Sequence, residues 1–275
     1  MARWILDCQP LCGRSWWLGL ATEPEELDEV YRLRYDVFVT EEGYDHAGRD
    51  GGPGRDVDSL DSWCDHLILY DLDRKQLIGT YRAIRGEEAV LRGGFYGVKE
   101  FDMTPLAPIA HQILQGSRTC VVASHRSGVA FQYLSYGMEL LLREYKCRYF
   151  LGLDSFRTET QDELLKIYSY VRKYGMDQDL FVEPLPANKV HGLREVPVAP
   201  ADERRLPAVV RLDLRMGFRV CSPPTWDPEF GCYDLMVLAR RERMTPLHQT
   251  YIDRIERHLP NRDCDAPLRK PDQPK

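Results

Sequence analysis

Residues 115–137, QGSRTCVVASHRSGVAFQYLSYG, constrain the fold more than any other stretch of this chain. The β-branched and apolar residues that end at Val122 predict a buried strand. The next residues include Arg126 and Gly128 and predict a turn, and from Val129 onward the apolar residues recur at helical spacing. A strand, a short basic turn and a helix together offer free backbone N–H groups and a positive helix end to an anion. The turn is therefore predicted either to bind a phosphate-bearing ligand or to be an ordinary strand-to-helix connection.

Composition limits the classes of function. The 275 residues include 37 basic and 43 acidic side chains, for a net charge of −6, which argues against general nucleic-acid binding. No apolar run reaches the ~20 residues that span a membrane, and residues 1–17 are too short and interrupted for a secretory signal. The eight cysteines are scattered without the spacing of a zinc site. We therefore expect no metal and a reduced, cytoplasmic protein.

The order of predicted elements is typical of an α/β protein. Alternating apolar residues in RSWWLGLA predict a first strand, and Thr22 with Glu25 predicts a capping box for the helix that follows. Two apolar strands around Asp71–Lys75 predict a hairpin. The chain then continues as strand, helix, strand, a helix that ends at Gly175, a further short helix and a closing pair of strands.

These elements predict one domain. A central mixed, mostly antiparallel sheet flanked by helices would extend over residues 1–245, and residues 246–275 would form a peripheral helix and a flexible tail. The loop 43–59 is rich in Gly and Asp and cannot fill a core. We expect this loop to be mobile until substrate orders it.

Six pieces of the sequence resemble the GNAT-fold N-acyltransferases, in that family's order and over most of residues 30–240. The branch they resemble contains ornithine N-acyltransferases, long-chain N-acyl amino acid synthases and acyl-homoserine-lactone synthases. The CDH and WDPEF motifs favour the ornithine N-acyltransferases. The pieces are RYDVFVTEEG (34–43), CDHLILYD (64–71), LIGTYRAI (77–84), FYGVKEFDM (95–103), GSRTCVVASHRSGVA (116–130) and WDPEFGCYDLMVL (226–238).

This resemblance implies transfer of a fatty acyl group, 3-hydroxylated ones included, from a thioester to the amine of an amino acid such as ornithine. The product would be an N-acyl amino acid or a lyso-ornithine lipid. The implied partners are acyl carrier protein and a small amine, with acyl-carrier-protein or acyl-CoA thioester as co-substrate, no bound cofactor and no nucleic acid. A lipid product also implies peripheral contact with the inner face of the membrane. Two alternatives stay open: a signal synthase of the acyl-homoserine-lactone type, and a non-catalytic module that binds acyl groups or CoA.

The resemblance also assigns site residues. The amine pocket or the acyl-donor cleft would be formed by Arg34, Phe38, Asp61, Asp65, Arg82 and Arg118, with catalytic roles for Arg82 and Arg118. The arginines would hold an amino-acid carboxylate in a bidentate way. The acyl donor would lie against Thr119, Cys120, Val121, Val122, Arg126, Ser127, Gly128, Val129 and Ala130. Backbone N–H groups of residues 119–122 would stabilise the oxyanion, and the turn would bind the pantetheine phosphate.

One catalytic position departs from the family's pattern. Gln115 stands where the family usually has Glu, and a neutral amide cannot serve as the base that an attacking amine needs. The acids that we expect to stand in for it are Glu100 and Asp102, or Glu41 and Glu42. His125 replaces the family's aromatic residue before the turn arginine. Its place in a turn predicts an exposed side chain, and its titration near neutrality makes it a second candidate base.

Overall fold

A computed structural model describes residues 3–8, 15–44, 52–126 and 128–257. The chain forms two compact units. The first unit comprises Met1–Ile84, Gly116–Cys147 and Thr250–Lys275, and the second comprises Arg85–Gln115 and Arg148–Gln249.

The described residues form nine strands and six α-helices. The strands are β1 (Arg3–Cys8), β2 (Trp16–Leu20), β3 (Asp65–Asp71), β4 (Gln76–Arg85), β5 (Ile113–Val121), β6 (Tyr149–Phe156), β7 (Arg219–Val220), β8 (Thr225–Asp227) and β9 (Cys232–Arg240). The α-helices are α1 (Pro24–Tyr35), α2 (Gly86–Leu91), α3 (Val129–Glu144), α4 (Gln161–Tyr170), α5 (Ala208–Met216) and α6 (Pro246–Glu256). Helix α1 continues as a π-helix over Asp36–Glu41, and α4 continues as one over Val171–Gly175. Short 3₁₀ segments include Asp61–Trp63, Thr104–Gln112 and Ala123–His125.

In the first unit the strands follow the order β1-β2-β3-β4, with β5 beside β4. The pairs β1–β2, β2–β3 and β3–β4 are antiparallel, and Leu18 lies opposite Leu69 in the register. Alternate side chains of a strand point to one face, so Leu18, Leu67 and Leu69 are buried together. Helix α3 packs on this face, and it can approach because it has a glycine there: a Cβ on Gly137 would lie 2.9 Å from Leu67 Cδ2. The opposite face, at Ile68, is covered by α1.

In the second unit β6 and β9 form an antiparallel pair from Tyr149 opposite Arg240 to Phe156 opposite Tyr233. Strands β7 and β8 also pair with β9, and the first three residues of β5 run parallel to β6. Helices α4 and α5 bury their apolar residues, among them Leu164, against a cluster that includes Phe156. Helix α4 begins where the sequence predicts, because the Thr160 hydroxyl accepts the Glu163 backbone N–H at 3.3 Å.

The predicted architecture is confirmed: the fold is α/β, with mixed and mostly antiparallel strands flanked by helices. The hairpin around Asp71–Lys75 and the helix that starts at Val129 lie where the pattern predicts. The proposed division between residues 1–245 and 246–275 stays a prediction. Helix α6 ends at Glu256, and the predicted tail after Arg257 lies outside the described residues. No described helix is both long and apolar enough to cross a membrane.

Three local predictions were wrong or incomplete. The capping box uses Glu23 and Glu26 rather than Thr22 and Glu25, because the Glu26 carboxylate accepts the N–H groups of both Thr22 and Glu23 at 2.9 and 3.1 Å. The composition of the loop 43–59 did not predict that Asp56, at its described end, is fully buried. The mobility of this loop stays a prediction, and its residues 45–51 lie outside the described ones. Strands β1 and β8 and helix α2 are short elements that the apolar pattern did not predict.

Gly86 marks a close backbone approach that tests the packing of the second unit. A Cβ at Gly86 would collide with the Ala110 carbonyl oxygen and would lie 2.9 Å from Phe95 Cε1. We expect Gly86→Ala to lower the free energy of unfolding by about 1–3 kcal/mol, because a backbone oxygen cannot move aside as a side chain can. Gly152→Ala is the matched control, since its Cβ would meet Val237 Cγ2 at an ordinary 3.5 Å. Urea denaturation measures both, and equal stability of the two variants would contradict this packing.

Candidate active site

A buried network of alternating charges lies in the first unit. Arg34, on α1, is fully buried. Its Nε donates to Asp56 Oδ2 at 2.8 Å, and its Nη1 and Nη2 donate to the two oxygens of Asp61 at 2.8 and 3.3 Å. Both aspartates are also buried. Each guanidinium nitrogen of Arg34 therefore donates to a carboxylate inside the protein.

Two further arginines complete this network. Arg82, on β4, donates from Nη1 to Asp58 Oδ1 at 2.6 Å and to Asp61 Oδ1 at 2.9 Å, and from Nε to Ser117 Oγ at 2.9 Å. Arg118, on β5, lies 3.2 Å from Asp56 Oδ2 and 3.3 Å from Asp58 Oδ2. It has a φ of +54°, a strained value for a side chain with a Cβ, so the strand is distorted at this position.

Three guanidinium groups and three carboxylates balance one another. Burial works against ionisation of Asp61, but the positive charges of Arg82 and Arg34 outweigh it and hold the pKa of Asp61 well below its usual range. Burial also lowers the pKa of the neighbouring His66 to about 4, so this imidazole is neutral at neutral pH. The side chains of Asp58 and Arg118 are 24% and 10% exposed, whereas that of Arg34 is inaccessible. Asp58 and Arg118 are thus the members that a small ligand can reach.

A cavity of about 250 Å³ lies in the same unit at the junction of β5 and α3. Its walls are formed by Val37, Glu42, Thr119, Cys120, Val121, His125, Arg126, Gly128 and Phe131. Arg126 Nε donates to the Val121 carbonyl at 2.8 Å, which fixes the guanidinium at the end of the strand. Gly128 is the N-cap of α3 and has a φ of +86°, a left-handed conformation that glycine adopts without strain. The start of a 16-residue helix and a fixed guanidinium therefore meet at this cavity.

The predicted donor residues fall into three groups. Thr119, Cys120, Val121, Arg126 and Gly128 line the cavity together. Val122 follows the strand, and Val129 and Ala130 form the first turn of α3. Ser127 lies outside the described residues. Burial raises the pKa of Cys120 to about 12, so its thiol stays protonated and is not a nucleophile at neutral pH.

Two of the predicted amine-pocket residues have partners outside the charge network. The Asp65 carboxylate accepts the Tyr145 hydroxyl. Phe38 is half-buried, with its ring centroid 6.3 Å from that of Tyr44. The structure thus brings Arg34, Asp61, Arg82 and Arg118 together, and the role of Asp65 and Phe38 in an amine pocket stays a prediction.

His125 differs from the expectation of an exposed side chain. It is only 4% exposed, because the turn folds it against Trp16, whose ring centroid is 5.8 Å away. Its Nε2 lies 3.3 Å from Asp71 Oδ2, and its Nδ1 lies 2.9 Å from Ser124 Oγ. Both ring nitrogens therefore have partners, which makes the ring a support for the turn as well as part of the cavity wall.

Gln115 lies in the second unit and has a structural partner. Its Oε1 accepts the Tyr96 backbone N–H and its Nε2 donates to the Tyr96 carbonyl, both at 2.8 Å, and the side chain is fully buried. A carboxylate could accept the first bond but could not donate the second. The amide in this position is thus explained by the backbone that it binds.

Two of the four acids expected to stand in for a glutamate at position 115, Glu100 and Asp102, also lie in the second unit. Burial and the nearby Asp234 raise the pKa of Glu100 to about 9, and its Oε2 accepts the Thr225 hydroxyl at 2.9 Å. Glu100 is therefore protonated at neutral pH, which argues against its role as a base there. Asp102 is exposed and accepts the Thr104 backbone N–H at 3.0 Å, as a turn-forming aspartate does. Catalytic roles for both stay predictions.

Among the described residues, one group of side chains has metal-ligand spacing. Atoms of Asp227, Cys232 and Asp234 lie within 4.8 Å of one another in the second unit. Burial raises the pKa of Cys232, which opposes the thiolate that a metal requires. This chemistry does not favour a metal here.

Sequence reasoning missed Asp56 and Asp58. Both lie in the loop 43–59, whose Gly- and Asp-rich composition predicts a mobile segment outside the core. The available signal was the spacing of three aspartates, at positions 56, 58 and 61, just before an apolar strand. Three closely spaced aspartates, in a chain whose predicted site contains three arginines, are consistent with buried ion pairs rather than with a solvated loop.

Residues 33–136 match the family described as acetyltransferase (GNAT) domain. This chain is an acyltransferase with a GNAT-like fold. The acyltransferase is 27% identical over 255 residues to the L-ornithine N(alpha)-acyltransferase of Rhodobacter capsulatus. This alignment covers 87% of the present chain and 95% of the relative. It is 25% identical to the enzyme of the same name from Brucella abortus, over 84% of this chain and 86% of that one. A solved structure of FeeM, an N-acyl amino acid synthase from uncultured soil microbes, matches with a TM-score of 0.48 and 12% identity, over 86% of this acyltransferase and 97% of FeeM.

The charge network predicts a strong dependence of stability on Asp61. We expect Asp61→Asn to lower the free energy of unfolding by about 3 kcal/mol at pH 7, because it leaves Arg34 and Arg82 without a buried counter-charge. The folded state lowers the pKa of Asp61, so this contribution is present above the ordinary aspartate pKa and is lost as the pH falls through the folded value. The difference between wild type and variant should therefore shrink in strong acid. Denaturation from pH 7 to pH 2 measures it.

The control for this substitution is Asp28→Asn, which breaks ion pairs with Arg32 and Arg55 at the surface. Exposed pairs contribute little, so we expect a much smaller effect. If both variants lost the same stability, the buried network would not have the energetic role that its geometry implies.

The Glu100→Gln substitution tests whether Glu100 is a protonated structural residue or a catalytic base. Folding raises the pKa of Glu100 from 4.5 to about 9, so wild-type stability should fall as the pH rises between these values. An amide resembles the protonated acid, so the variant should be more stable than wild type at pH 8, equally stable below pH 4.5, and active within about twofold. Denaturation measures the stability of each variant, and release of thiol from an acyl thioester measures its activity. The exposed Glu87→Gln is the control. A hundredfold loss of activity would instead identify Glu100 as the base.

Proposed function

We propose that this acyltransferase moves a fatty acyl group, 3-hydroxylated chains included, from a thioester of acyl carrier protein or CoA to the α-amine of ornithine or a similar amino acid. The product would be an N-acyl amino acid, with ornithine a lyso-ornithine lipid. The choice of ornithine rests on the names of the curated relatives, which align with most of the chain. We further propose that the enzyme works in the cytoplasm, at the inner face of the membrane into which such a lipid passes.

The observation that carries the donor side of this proposal is the cavity at the junction of β5 and α3. It combines Arg126 with Gly128, the N-cap of a long helix, so the positive helix end and a guanidinium both favour a phosphate. The phosphate of a pantetheine arm would bind at this end. Thr119, Cys120 and Val121 line the same cavity. We propose that their backbone groups bind the amides of the arm and the oxyanion that forms at the thioester carbon.

The accessible edge of the charge network supports an amino acid as the acceptor. Asp58 and Arg118 offer one carboxylate and one guanidinium, which are complementary to the ammonium and carboxylate of a zwitterion. Burial opposes the charge of Asp58, but Arg82 and Arg118 outweigh it and hold its pKa below the usual range. Asp58 therefore stays ionised and would bind the ammonium electrostatically rather than accept its proton. We propose that the proton leaves through water, so the reaction should be faster at higher pH, where more amine is free.

The proposal is tested by thiol release from acyl-carrier-protein and acyl-CoA thioesters with and without ornithine. We expect release that depends on ornithine, rises between pH 7 and pH 9, and yields a product with the mass of N-acyl ornithine. Arg126→Gln should raise the KM for the thioester about tenfold and leave the KM for ornithine unchanged, because it removes a charge-assisted bond to the donor alone. Arg157→Gln, an exposed arginine of the second unit, is the control.

Three outcomes would overturn the proposal. Absence of thiol release with ornithine, other amino acids and polyamines would refute amine acylation. Methylthioadenosine formed from S-adenosylmethionine would identify a lactone-type signal synthase. Tight binding of acyl thioester without any turnover would identify a binding module.

A further inference from the structure

Arg126 is already paired with an anion of the protein. Its Nη1 donates to Glu41 Oε1 and its Nη2 donates to Glu41 Oε2 at 2.8 Å, so the carboxylate occupies the guanidinium fork in a bidentate way. At the same time, the hydrogen bond from Arg126 Nε to the Val121 carbonyl holds the guanidinium in place. Glu41 is the last residue of the π-helix that follows α1, and its side chain comes from a different element than the turn.

This pair differs from the buried network in its exposure. The side chains of Arg126 and Glu41 are 38% and 41% exposed, whereas those of Arg34 and Asp61 are essentially inaccessible. An exposed ion pair contributes little free energy and is readily replaced, while breaking a buried pair leaves a charge without a partner. Arg126 can therefore exchange its partner without disturbing the fold, and Arg34 cannot.

The other charge in the cavity makes such an exchange necessary. Glu42 lines the cavity together with Arg126. A phosphate that entered while Glu41 kept its place would face two carboxylates and one guanidinium, and like charges at short range repel. A phosphate that takes over the fork of Arg126 instead makes the same planar, bidentate contact that Glu41 makes now.

We infer that Glu41 is the counter-ion that the donor phosphate displaces from Arg126, and that this exchange sets the affinity and selectivity of the cavity for phosphate-bearing donors. The inference rests on the proposed function, since it takes the cavity to be the donor site. In the resting protein Glu41 keeps Arg126 oriented and excludes weakly bound anions. Only a ligand that binds elsewhere in the cavity as well, as a pantetheine arm can, would compete effectively with a carboxylate tethered to the chain.

The test is isothermal titration calorimetry of the full-length protein with 4′-phosphopantetheine and with pantetheine, which lacks the phosphate. We expect Glu41→Gln to tighten 4′-phosphopantetheine binding about fivefold, the size of effect that exposed ion pairs reach, and to leave pantetheine binding unchanged. Asp36→Asn is the matched control, because it removes the same charge from the same π-helix at an exposed position away from the lining of the cavity. It should change neither affinity.

The outcomes distinguish the inference from the proposed function. Equal binding of 4′-phosphopantetheine to wild type and Glu41→Gln would overturn the exchange and leave the donor site intact. If Glu41→Gln and Asp36→Asn tightened 4′-phosphopantetheine binding equally, the cause would be the general loss of negative charge, and the proposed exchange would be wrong. If neither probe bound to any variant, the cavity would not be the donor site, and both conclusions would fail. A loss of binding in Glu41→Gln would make Glu41 a support for the turn rather than a competitor.

Discussion

The first unit depends on the pairing of three arginines, two of them fully buried, with three aspartates. Arg34 comes from a helix, Arg82 and Arg118 from two strands, and the aspartates from the segment just before β3. Burying an ion is costly, and attraction to a partner offsets that cost only when the geometry is complete. The network therefore acts as a unit: a helix, two strands and a connecting segment are held together by charges that none of them could bury alone.

Strand β5 contributes both to the charge network and to the cavity at the junction of β5 and α3. Ser117 and Arg118 point their polar atoms into the network, and the next three residues, Thr119 to Val121, line the cavity. The positive φ of Arg118 falls between the two. A regular strand would alternate its side chains evenly; the distortion lets a run of adjacent residues contribute to two places. The strain at Arg118 is tolerated because its ion pairs with Asp56 and Asp58 fix the side chain.

Local patterns predicted the elements well and the polar contacts poorly. The hairpin before Gln76 and the helix after Gly128 follow from apolar periodicity and turn residues, which depend on near neighbours in the sequence. The burial of Asp56 depends on Arg34, 22 positions away, and no local pattern encodes that contact. For the same reason the Gly- and Asp-rich composition of the loop 43–59 did not predict a buried side chain there. His125 was misjudged similarly, since its partner Asp71 lies 54 positions away.

Gln115 shows why a motif position alone does not decide a mechanism. A glutamate in its place would be expected to handle the proton of the amine, yet here the side chain both donates and accepts to hold Tyr96, which an amide can do and an ionised carboxylate cannot. A carboxyl buried beside Asp234 keeps its proton at neutral pH, which argues against Glu100 as the base there. Asp58, held ionised by arginines, is too weakly basic to remove a proton from an ammonium. The electrostatics of Glu100 and Asp58 thus argue against either of them as the base at neutral pH. Our proposal therefore relies on orientation and oxyanion stabilisation, with the free amine supplied by solution equilibrium.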